Sequence, residues 1–307
     1  MTKPLVLDTA ETRAALADTD ALLSALTTAL VSVADGTDST PPRIAAAAPA
    51  GLLGAMPGYV PGLGVAAKLI TIFADPQHPG RSTHRGVVVC FDERDGRPLA
   101  VLDAEPLTAI RTAATSTLAL QALVRPDARR VTVVGTGSQA TAQLELLAGD
   151  PRWQVTVTGR DAVRVQALAD LHNAHAAPSI EEAVRAADAA VLCCTGAREP
   201  VISRTWLADG VHVGSVGFSD GPELDPATIA AATLFAEWPG AAASPYPAGA
   251  HELQGVTPDR VTLIGDVLAR RHPGRPTPHG ITVFKSTGHA ALDVAAAAVA
   301  VRSITNS

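Results

Sequence analysis

The chain has 307 residues, of which 47% are hydrophobic and 18% charged, with a formal net charge of −6. This composition is typical of a compact globular protein and excludes a disordered chain. The length is sufficient for two domains of ordinary size. The negative net charge and the lack of any block of Lys or Arg argue against a nucleic-acid partner. The longest late apolar run, residues 294–301, is too short to cross a bilayer, and the start of the chain is acidic where a secretory signal needs an apolar core. We therefore expect a cytoplasmic protein with no membrane partner.

The first hundred residues combine one helix with several strands. Apolar residues recur at helical spacing over 20–35, and Gly36 follows where a helix would end. Beyond two prolines, short apolar runs separated by Gly and Pro indicate strands and turns over 41–64. Further strands are predicted over 64–73, 86–91 and 97–103. The sequence therefore predicts a mainly antiparallel sheet in this part of the chain.

The rest of the chain alternates strands with helices after a helical pattern over 107–124. A strand, a glycine turn and a helix cover 129–149, and a second strand and helix cover 154–172. Short buried strands are predicted at 189–195, 211–217 and 281–286, and an Ala-rich helix at 289–301. Alternation of this kind predicts a parallel sheet covered by helices, so that the fold class is α/β with a second, α+β domain.

A glycine-rich turn lies between the strand and the helix of the first βα unit. It consists of Gly135, Thr136, Gly137, Ser138, Gln139 and Ala140, a GxGxxA pattern. In this context the first glycine permits a tight turn, the second lets a pyrophosphate approach the backbone, and the alanine lets the helix pack close to the strand. The free N–H groups of the helix then face the phosphates. The sequence predicts dinucleotide binding here.

The end of the next strand indicates which dinucleotide is bound. NAD-specific proteins place a carboxylate there to bind the ribose hydroxyls, but this chain has Thr158, Gly159 and Arg160. Arg160 is suited to a 2′-phosphate, although Asp161 follows directly. We predict NADP as the cofactor, with NAD as the alternative.

Three cations stand in apolar or small-residue surroundings. Lys68 interrupts an apolar strand, where it is either a charge at a sheet edge or a partly buried cation with a functional role. Arg111 lies in a helix of small residues and is suited to bidentate capture of a carboxylate. Arg43 precedes another apolar strand. Together they predict a small anionic substrate beside a nicotinamide.

At these residues the chain resembles the ornithine cyclodeaminase and μ-crystallin family. The matching segments are PPR at 41–43, MPGY at 56–59, KLITIF at 68–73, the T-H-x-G at 83–86, LAVLDAEPLTAIRTAATS at 99–116, GTGSQA at 135–140, REPVI at 198–202 and ITVFKSTGHAALD at 281–293. The combination of LTAIRTAA with GTG about two dozen residues later is specific to this family. Its members include ornithine cyclodeaminases, an alanine dehydrogenase, reductases of cyclic imino acids, and crystallins that bind NADPH.

The resemblance implies a homodimer of two-domain chains. Residues 1–112, joined by the C-terminal helix at 287–307, would bind substrate and form the dimer, and 113–286 would form the Rossmann domain. It further implies that Arg43, Lys68 and Arg111 bind the substrate, with Lys68 also catalytic. We assign to the cofactor the glycine turn and Thr112, Arg160, Thr195, Lys285 and Ser286. The resemblance places the last two where the domains meet near the nicotinamide.

One segment departs from the family pattern. The cyclodeaminases carry a catalytic acid shortly after the strand that corresponds to 211–217, whereas here the segment GFSDGPELD is about two residues shorter. Ser219 falls on the acid's position, and Asp220, which comes next, is our candidate for the catalytic acid. A cyclodeaminase needs acid–base help throughout its cycle, whereas a simple imine reductase needs fewer groups.

Three functions are consistent with this sequence. The first is hydride transfer at the α-carbon of an amino or imino acid, by a ketimine reductase or an amino-acid dehydrogenase. The second is conversion of ornithine to proline and ammonia, and the third is NADPH binding with little turnover. No metal site is predicted, because the histidines show no ligand spacing.

Overall fold

A computed structural model describes residues 3–74, 82–217 and 221–305 of the chain. The chain divides into two compact units. Unit 1 comprises Met1–Arg111 together with Gly288–Ser307, and unit 2 comprises Thr112–Thr287.

The secondary structure follows the order of elements predicted from the sequence, with additional short elements. The strands are β1 Leu5–Leu7, β2 Ile44–Ala48, β3 Gly51–Val60, β4 Gly64–Ala74, β5 Ser82–Phe91, β6 Pro98–Asp103, β7 Arg130–Val134, β8 Gln154–Thr158, β9 His175–Ala176, β10 Ala189–Leu192, β11 His212–Ser215, β12 Thr233–Ala236, β13 Val261–Leu263 and β14 Thr282–Lys285. The helices are α1 Thr9–Ala15, α2 Thr19–Asp35, α3 Ala104–Leu123, α4 Ser138–Ala148, α5 Ala162–His172, α6 Ile180–Arg185, α7 Pro226–Ala231, α8 Gly240–Ala243, α9 Ile264–Leu268 and α10 Ala290–Thr305. Short 3-10 helices lie at Arg204–Trp206, His251–Leu253 and Pro258–Arg260.

Unit 1 is built on a sheet with the strand order β1-β6-β5-β4-β3-β2. Its neighbouring strands run antiparallel, apart from the parallel pair β1 and β6. Helix α10 packs on α2 and on β3 and β4, so that the end of the chain returns to its beginning. Because α10 packs on β4, Ala66 and Lys68 on its inner face are buried, and Ile70 and Ile72 are partly buried.

Unit 2 contains a parallel sheet with the strand order β13-β12-β14-β11-β10-β7-β8-β9. The chain proceeds outward from β7 through β8 to β9, and then crosses to β10 on the opposite side of β7. The order of strands therefore reverses at β7, and the carboxyl end of a sheet at such a point is where dinucleotides bind. Buried strands of Val, Leu and Ala form the core beneath it.

The predicted fold class is confirmed: a parallel sheet with helices forms one unit and a mainly antiparallel sheet the other. The predicted helix over 20–35 corresponds to α2, and the predicted strand over 64–73 corresponds to β4. The sequence did not reveal β1, because three residues carry too little periodicity to predict a strand. Over the described ranges no single helix is long and apolar enough to span a membrane, although α1 and α2, which are bent by 82° relative to each other, meet the length and composition criterion as a pair.

Candidate functional site

Lys68 lies on the inner face of β4 and is only 4% exposed. Its neighbours β3 and β5 pair with β4 along its whole length, so the interpretation of Lys68 as a charge at a sheet edge is wrong. The ammonium lies 3.0 Å from Oδ1 and 2.9 Å from Oδ2 of Asp293, in the first turn of α10. A buried lysine of this kind is a cation held in place by a specific acid.

The same acid also holds Arg111. Nε of Arg111 donates to Oδ1 of Asp293 at 3.0 Å, and both side chains are almost fully buried. Burial by itself would raise the pKa of Asp293, but the adjacent Lys68 and Arg111 reverse this effect and hold the pKa below its ordinary value. Asp293 is therefore an ionised carboxylate shared by two cations.

The proton of Lys68 is held less firmly than that of an exposed lysine. Burial lowers the pKa of Lys68 to about 8, and the nearby charges of Arg111 and Arg43 act in the same direction. Asp293 opposes these effects through its charge and its hydrogen bond. The group can therefore exchange a proton near neutral pH.

Arg43 and His289 complete what we call the cationic cluster, defined as Arg43, Lys68, Arg111, His289 and Asp293. Nη2 of Arg43 donates to the carbonyl of Gly288 at 2.8 Å. Nε2 of His289 lies 3.0 Å from Oγ1 of Thr40. Burial lowers the pKa of His289 to about 4, so that its imidazole is neutral at pH 7.

The structure brings together the three cations that the sequence singled out and adds two residues. Arg43, Lys68 and Arg111 meet around the start of α10. The sequence analysis missed Asp293 and His289. The signal for Asp293 was a lone carboxylate within the otherwise apolar run over 290–301, since the same kind of reasoning identified Lys68 and Arg111. With three cations and one acid, the cluster carries an excess of positive charge suited to a carboxylate.

The glycine turn of unit 2 lies at the carboxyl end of β7, where the strand order reverses. Gly135 has φ +132°, and a Cβ at this position would lie 2.6 Å from the carbonyl oxygen of Cys193, so that a glycine is required. Its N–H donates to the carbonyl of Thr158 at 2.9 Å. Ala140 is fully buried where α4 meets the sheet. These contacts fulfil the packing roles expected of the first and third small residues.

Gly137 is the N-cap residue of α4 and faces open space. No side chain in the described part of the chain caps this helix, and a Cβ on Gly137 would meet nothing within 4 Å. Ser138 at the start of the helix is exposed, and Thr136 and Gln139 are partly buried. The turn thus presents backbone N–H groups to a region that an anion can enter.

The loop after β8 carries the charges next to this turn. Arg160 is exposed. Oδ1 of Asp161 accepts from the backbone N–H of Arg164 at 3.1 Å and caps α5. Nη2 of Arg164 in turn donates to the carbonyl of Thr136 at 2.7 Å, which places a second guanidinium against the glycine turn. The one carboxylate of this loop therefore caps a helix.

Lys285 ends β14 in a buried polar group of unit 2. Its ammonium lies 2.8 Å from Oγ of Ser215, 3.0 Å from Oε2 of Glu223 and 3.2 Å from Oε1 of Glu252. Burial by itself would lower the pKa of Lys285, but Glu223 and Glu252 raise it above the ordinary value. Lys285 is thus a charged lysine whose three N–H donors face three partners in the protein. Sequence analysis predicted Lys285 for the cofactor and missed both glutamates.

The remaining predicted site residues have varied environments. Thr112 is buried in α3, Thr195 is exposed after β10, and Ser286 is buried, with its N–H donating to the carbonyl of Ser215 at 2.9 Å. Their assignment to the cofactor stays a prediction. Asp220, predicted as the catalytic acid, lies outside the described residues.

Two other acids of the GFSDGPELD segment do have defined roles. Glu223 is fully buried against Lys285. Oδ1 of Asp225 accepts a hydrogen bond from the N–H of Thr228 at 2.7 Å and caps α7.

Among the residues that the structure describes, no group of three His, Cys, Asp or Glu side chains is arranged to hold a metal ion.

The ornithine cyclodeaminase/mu-crystallin family model matches residues 3–307. This chain belongs to that family. It is 33% identical over 265 residues to the Delta(1)-pyrroline-2-carboxylate reductase of Paracoccus denitrificans, a match that covers 80% of this chain and 81% of the relative. It is 29% identical over 306 residues to the ketimine reductase mu-crystallin of Mus musculus, with 96% of this chain and 95% of the relative covered.

A solved structure gives the same result for the fold. An archaeal alanine dehydrogenase dimer with bound NAD superposes with a TM-score of 0.86 at 26% identity, and the match covers 99% of this chain and 96% of that one. The family resemblance predicted from the sequence is thereby confirmed over the whole chain.

Proposed function

We propose that this protein is an NAD(P)-dependent reductase of imino acids, in which unit 1 binds the carboxylate of the substrate and unit 2 binds the cofactor. The observation that carries this proposal is the buried pairing of Lys68 and Arg111 on one acid, with Arg43 beside them. Family relatives that act on pyrroline-2-carboxylate and on ketimines support the choice of substrate class.

The residues of unit 2 fit a nicotinamide dinucleotide. Gly135 and Gly137 leave the backbone of the turn accessible, and the uncapped start of α4 offers N–H donors to a pyrophosphate. The bound cofactor supplies the hydride for the reduction. Arg160 is exposed beside the turn, and Arg164 is held against the carbonyl of Thr136. These two cations favour NADPH over NADH, since a carboxylate in their place would repel the 2′-phosphate.

In the proposed reaction the cationic cluster has two tasks. Arg111 and Arg43 bind the substrate carboxylate, because guanidinium groups form paired, charge-assisted hydrogen bonds to carboxylates. Lys68, whose pKa is lowered to about 8, donates a proton to the imine nitrogen. One hydride added to the imine carbon and one proton added to its nitrogen convert the C=N bond to CH–NH, and the neutral lysine then regains its proton from water.

We also propose that two copies of the chain associate through the sheet of unit 1. Pro57, Ala67, Val89 and Val101 form a cross-strand row on β3, β4, β5 and β6, on the face opposite the side chains that point toward α10. All four are apolar and at least partly exposed. An exposed apolar row of this kind can pack against the same row of a second copy. An archaeal alanine dehydrogenase with the same fold forms a dimer.

The proposed reaction is tested by supplying NADPH or NADH with pyrroline-2-carboxylate, piperideine-2-carboxylate or pyruvate plus ammonia, and by following cofactor oxidation together with product formation. We expect a cyclic imino acid to be reduced with consumption of one NADPH per product. Lys68→Met is expected to lower kcat at least 100-fold at pH 7, while NADPH affinity stays within about threefold, because proton donation is typically worth about 10²–10⁴ in rate.

Two other results would contradict the proposal. Release of proline and ammonia from ornithine with only catalytic NAD⁺ would indicate cyclodeamination. Tight NADPH binding without consumption by any substrate in the panel would indicate a binding protein with little turnover.

A further inference from the structure

The three cations of the cationic cluster, Arg43, Lys68 and Arg111, are held at the start of α10. Arg43 is bound by the carbonyl of Gly288, and a Cβ on Gly288 would lie 3.3 Å from Nη2 of Arg111. One turn further on, Asp293 binds both Arg111 and Lys68. Asp293 is the one acid between residues 290 and 305, and it is 1% exposed. Three separate elements, β4, α3 and α10, thus meet at one carboxylate.

We infer that Asp293 is a positioning residue of the reaction, which acts through Lys68 and Arg111 by fixing the proton donor and the carboxylate anchor relative to each other. The inference rests on the proposed function. It adds a residue that the sequence analysis did not assign, and a role that the proposed chemistry requires, because an anchor and a proton donor have to address two atoms of one small molecule at the same time.

The contacts of Asp293 indicate that it orients Lys68 and Arg111 in addition to balancing their charge. Oδ1 of Asp293 accepts from both Nε of Arg111 and Nζ of Lys68, at 3.0 Å in each case. Nζ of Lys68 also lies 2.9 Å from Oδ2, so that both cations are held by the same carboxylate group. A movement of either cation that turns this carboxylate therefore also changes the contact of the other. The contact of Asp293 with Arg111 is made through Nε. The Nη atoms are those that make the parallel, paired contact with a substrate carboxylate in the arrangement proposed.

Three charged groups act on Lys68, whereas β3 and β5 place the apolar residues Met56 and Val88 opposite it. Asp293 approaches from α10, Arg111 from α3, and Arg43 from the segment before β2. His289, also at the start of α10, is neutral at pH 7 because burial lowers its pKa to about 4. Asp293 is therefore the charge that keeps the proton on Lys68 against burial and two arginines. Loss of this charge would lower the pKa of Lys68.

The test uses the full-length protein with NADPH and the cyclic imino acid that the wild type reduces fastest. Reduction requires protonated Lys68, so that kcat falls as the pH rises through its pKa. In Asp293→Asn we expect this fall to begin about 1–3 pH units lower, since loss of an adjacent opposite charge shifts a pKa by about that amount. We also expect a KM for the imino acid at least tenfold higher, because Arg111 loses the partner that orients it.

The matched control is Asp188→Asn in unit 2. Asp188 is likewise a poorly exposed acid that binds arginines, with Oδ1 lying 3.0 Å from Nη2 of Arg130 and 3.2 Å from Nη2 of Arg125. We expect this variant to lose thermal stability but to keep the wild-type pH profile and KM. A shift of the profile in Asp293→Asn but not in Asp188→Asn supports the inference, and an unshifted profile with wild-type KM in Asp293→Asn overturns it.

A second variant keeps the inference testable if Asp293→Asn does not fold. Asp293→Glu retains the charge but displaces the carboxylate by one methylene group. We expect the pH at which kcat falls to stay within about half a unit of the wild type, while kcat itself drops at least tenfold. A wild-type kcat in Asp293→Glu would show that the position of the acid is unimportant and would overturn the inference. If the wild type reduces no imino acid at all, the proposed function has failed instead.

Discussion

The glycine turn allows stability and cofactor binding to be separated by one substitution. Gly137 has the extended backbone of an N-cap residue, with φ −95° and ψ −173°, and a Cβ there would meet nothing within 4 Å. Serine is a better N-cap residue than glycine by a few tenths of a kcal/mol, because its hydroxyl accepts from a free helix N–H. Gly137→Ser should therefore leave the protein without cofactor as stable as the wild type, or slightly more stable.

The same hydroxyl should interfere with the pyrophosphate. It would occupy the open space beside the turn and accept a hydrogen bond from an N–H group that the phosphate needs. We expect NADPH affinity to fall at least tenfold, which corresponds to about 1.4 kcal/mol. At a concentration 100 times the wild-type Kd, NADPH stabilises the wild type by about 2.7 kcal/mol. The variant would then gain only about 1.4 kcal/mol. For a domain of this size, NADPH should therefore raise the Tm of the variant by about 3–5 °C less than it raises that of the wild type.

The assay is thermal unfolding with and without NADPH, supported by titration calorimetry. The control is Gly135→Ala, which we expect to lose roughly 1–3 kcal/mol of stability even without cofactor, because the position has φ +132° and the added Cβ would lie 2.6 Å from the carbonyl oxygen of Cys193. An equal rise in Tm with NADPH for Gly137→Ser and for the wild type would refute the assignment of this turn to the pyrophosphate.

Three further predictions concern other parts of the chain. Arg160→Ala should weaken NADPH binding about 10–100-fold, which corresponds to about 1.4–2.7 kcal/mol, the usual range for a charged hydrogen bond, and should leave NADH affinity within about threefold. An equal loss for both cofactors in calorimetric titrations would contradict the role of Arg160. Val89→Asp should place a charge in the apolar row of the unit 1 sheet and yield monomers in light scattering, and a persistent dimer would reject that interface. Burial by itself would raise the pKa of Asp188, but hydrogen bonds from Arg130 and the backbone lower it to about 2. The stability that Asp188 contributes should thus be present above about pH 4 and be lost as the pH falls toward 2. The free energies of unfolding of the wild type and of Asp188→Asn, measured in urea, should therefore converge over that range. A constant difference between them would contradict this prediction.

The sequence by itself determined the features that depend on local pattern. Strand and helix periodicity predicted the mainly antiparallel sheet and the parallel βα units, and the glycine turn was recognisable because its three small residues lie within six positions of one another, directly after a strand. Lys68 and Arg111 were also found in this way, because a charge within an apolar or small-residue stretch is costly unless it has a partner. Short elements such as β1 were not predicted, since they contain too few residues to show a period.

Only the tertiary structure decided which partner each buried charge has. Asp293 is 225 residues from Lys68 and 182 from Arg111 along the chain, and no local pattern relates positions so far apart. Likewise, the family resemblance assigned Lys285 to the cofactor but gave no partner for its charge, and the fold surrounds its ammonium with Glu223 and Glu252. The physical reason is common to both cases: a charge removed from water has to be compensated by a charge close in space, and the return of α10 and of the loops onto the sheets selects which residue that is.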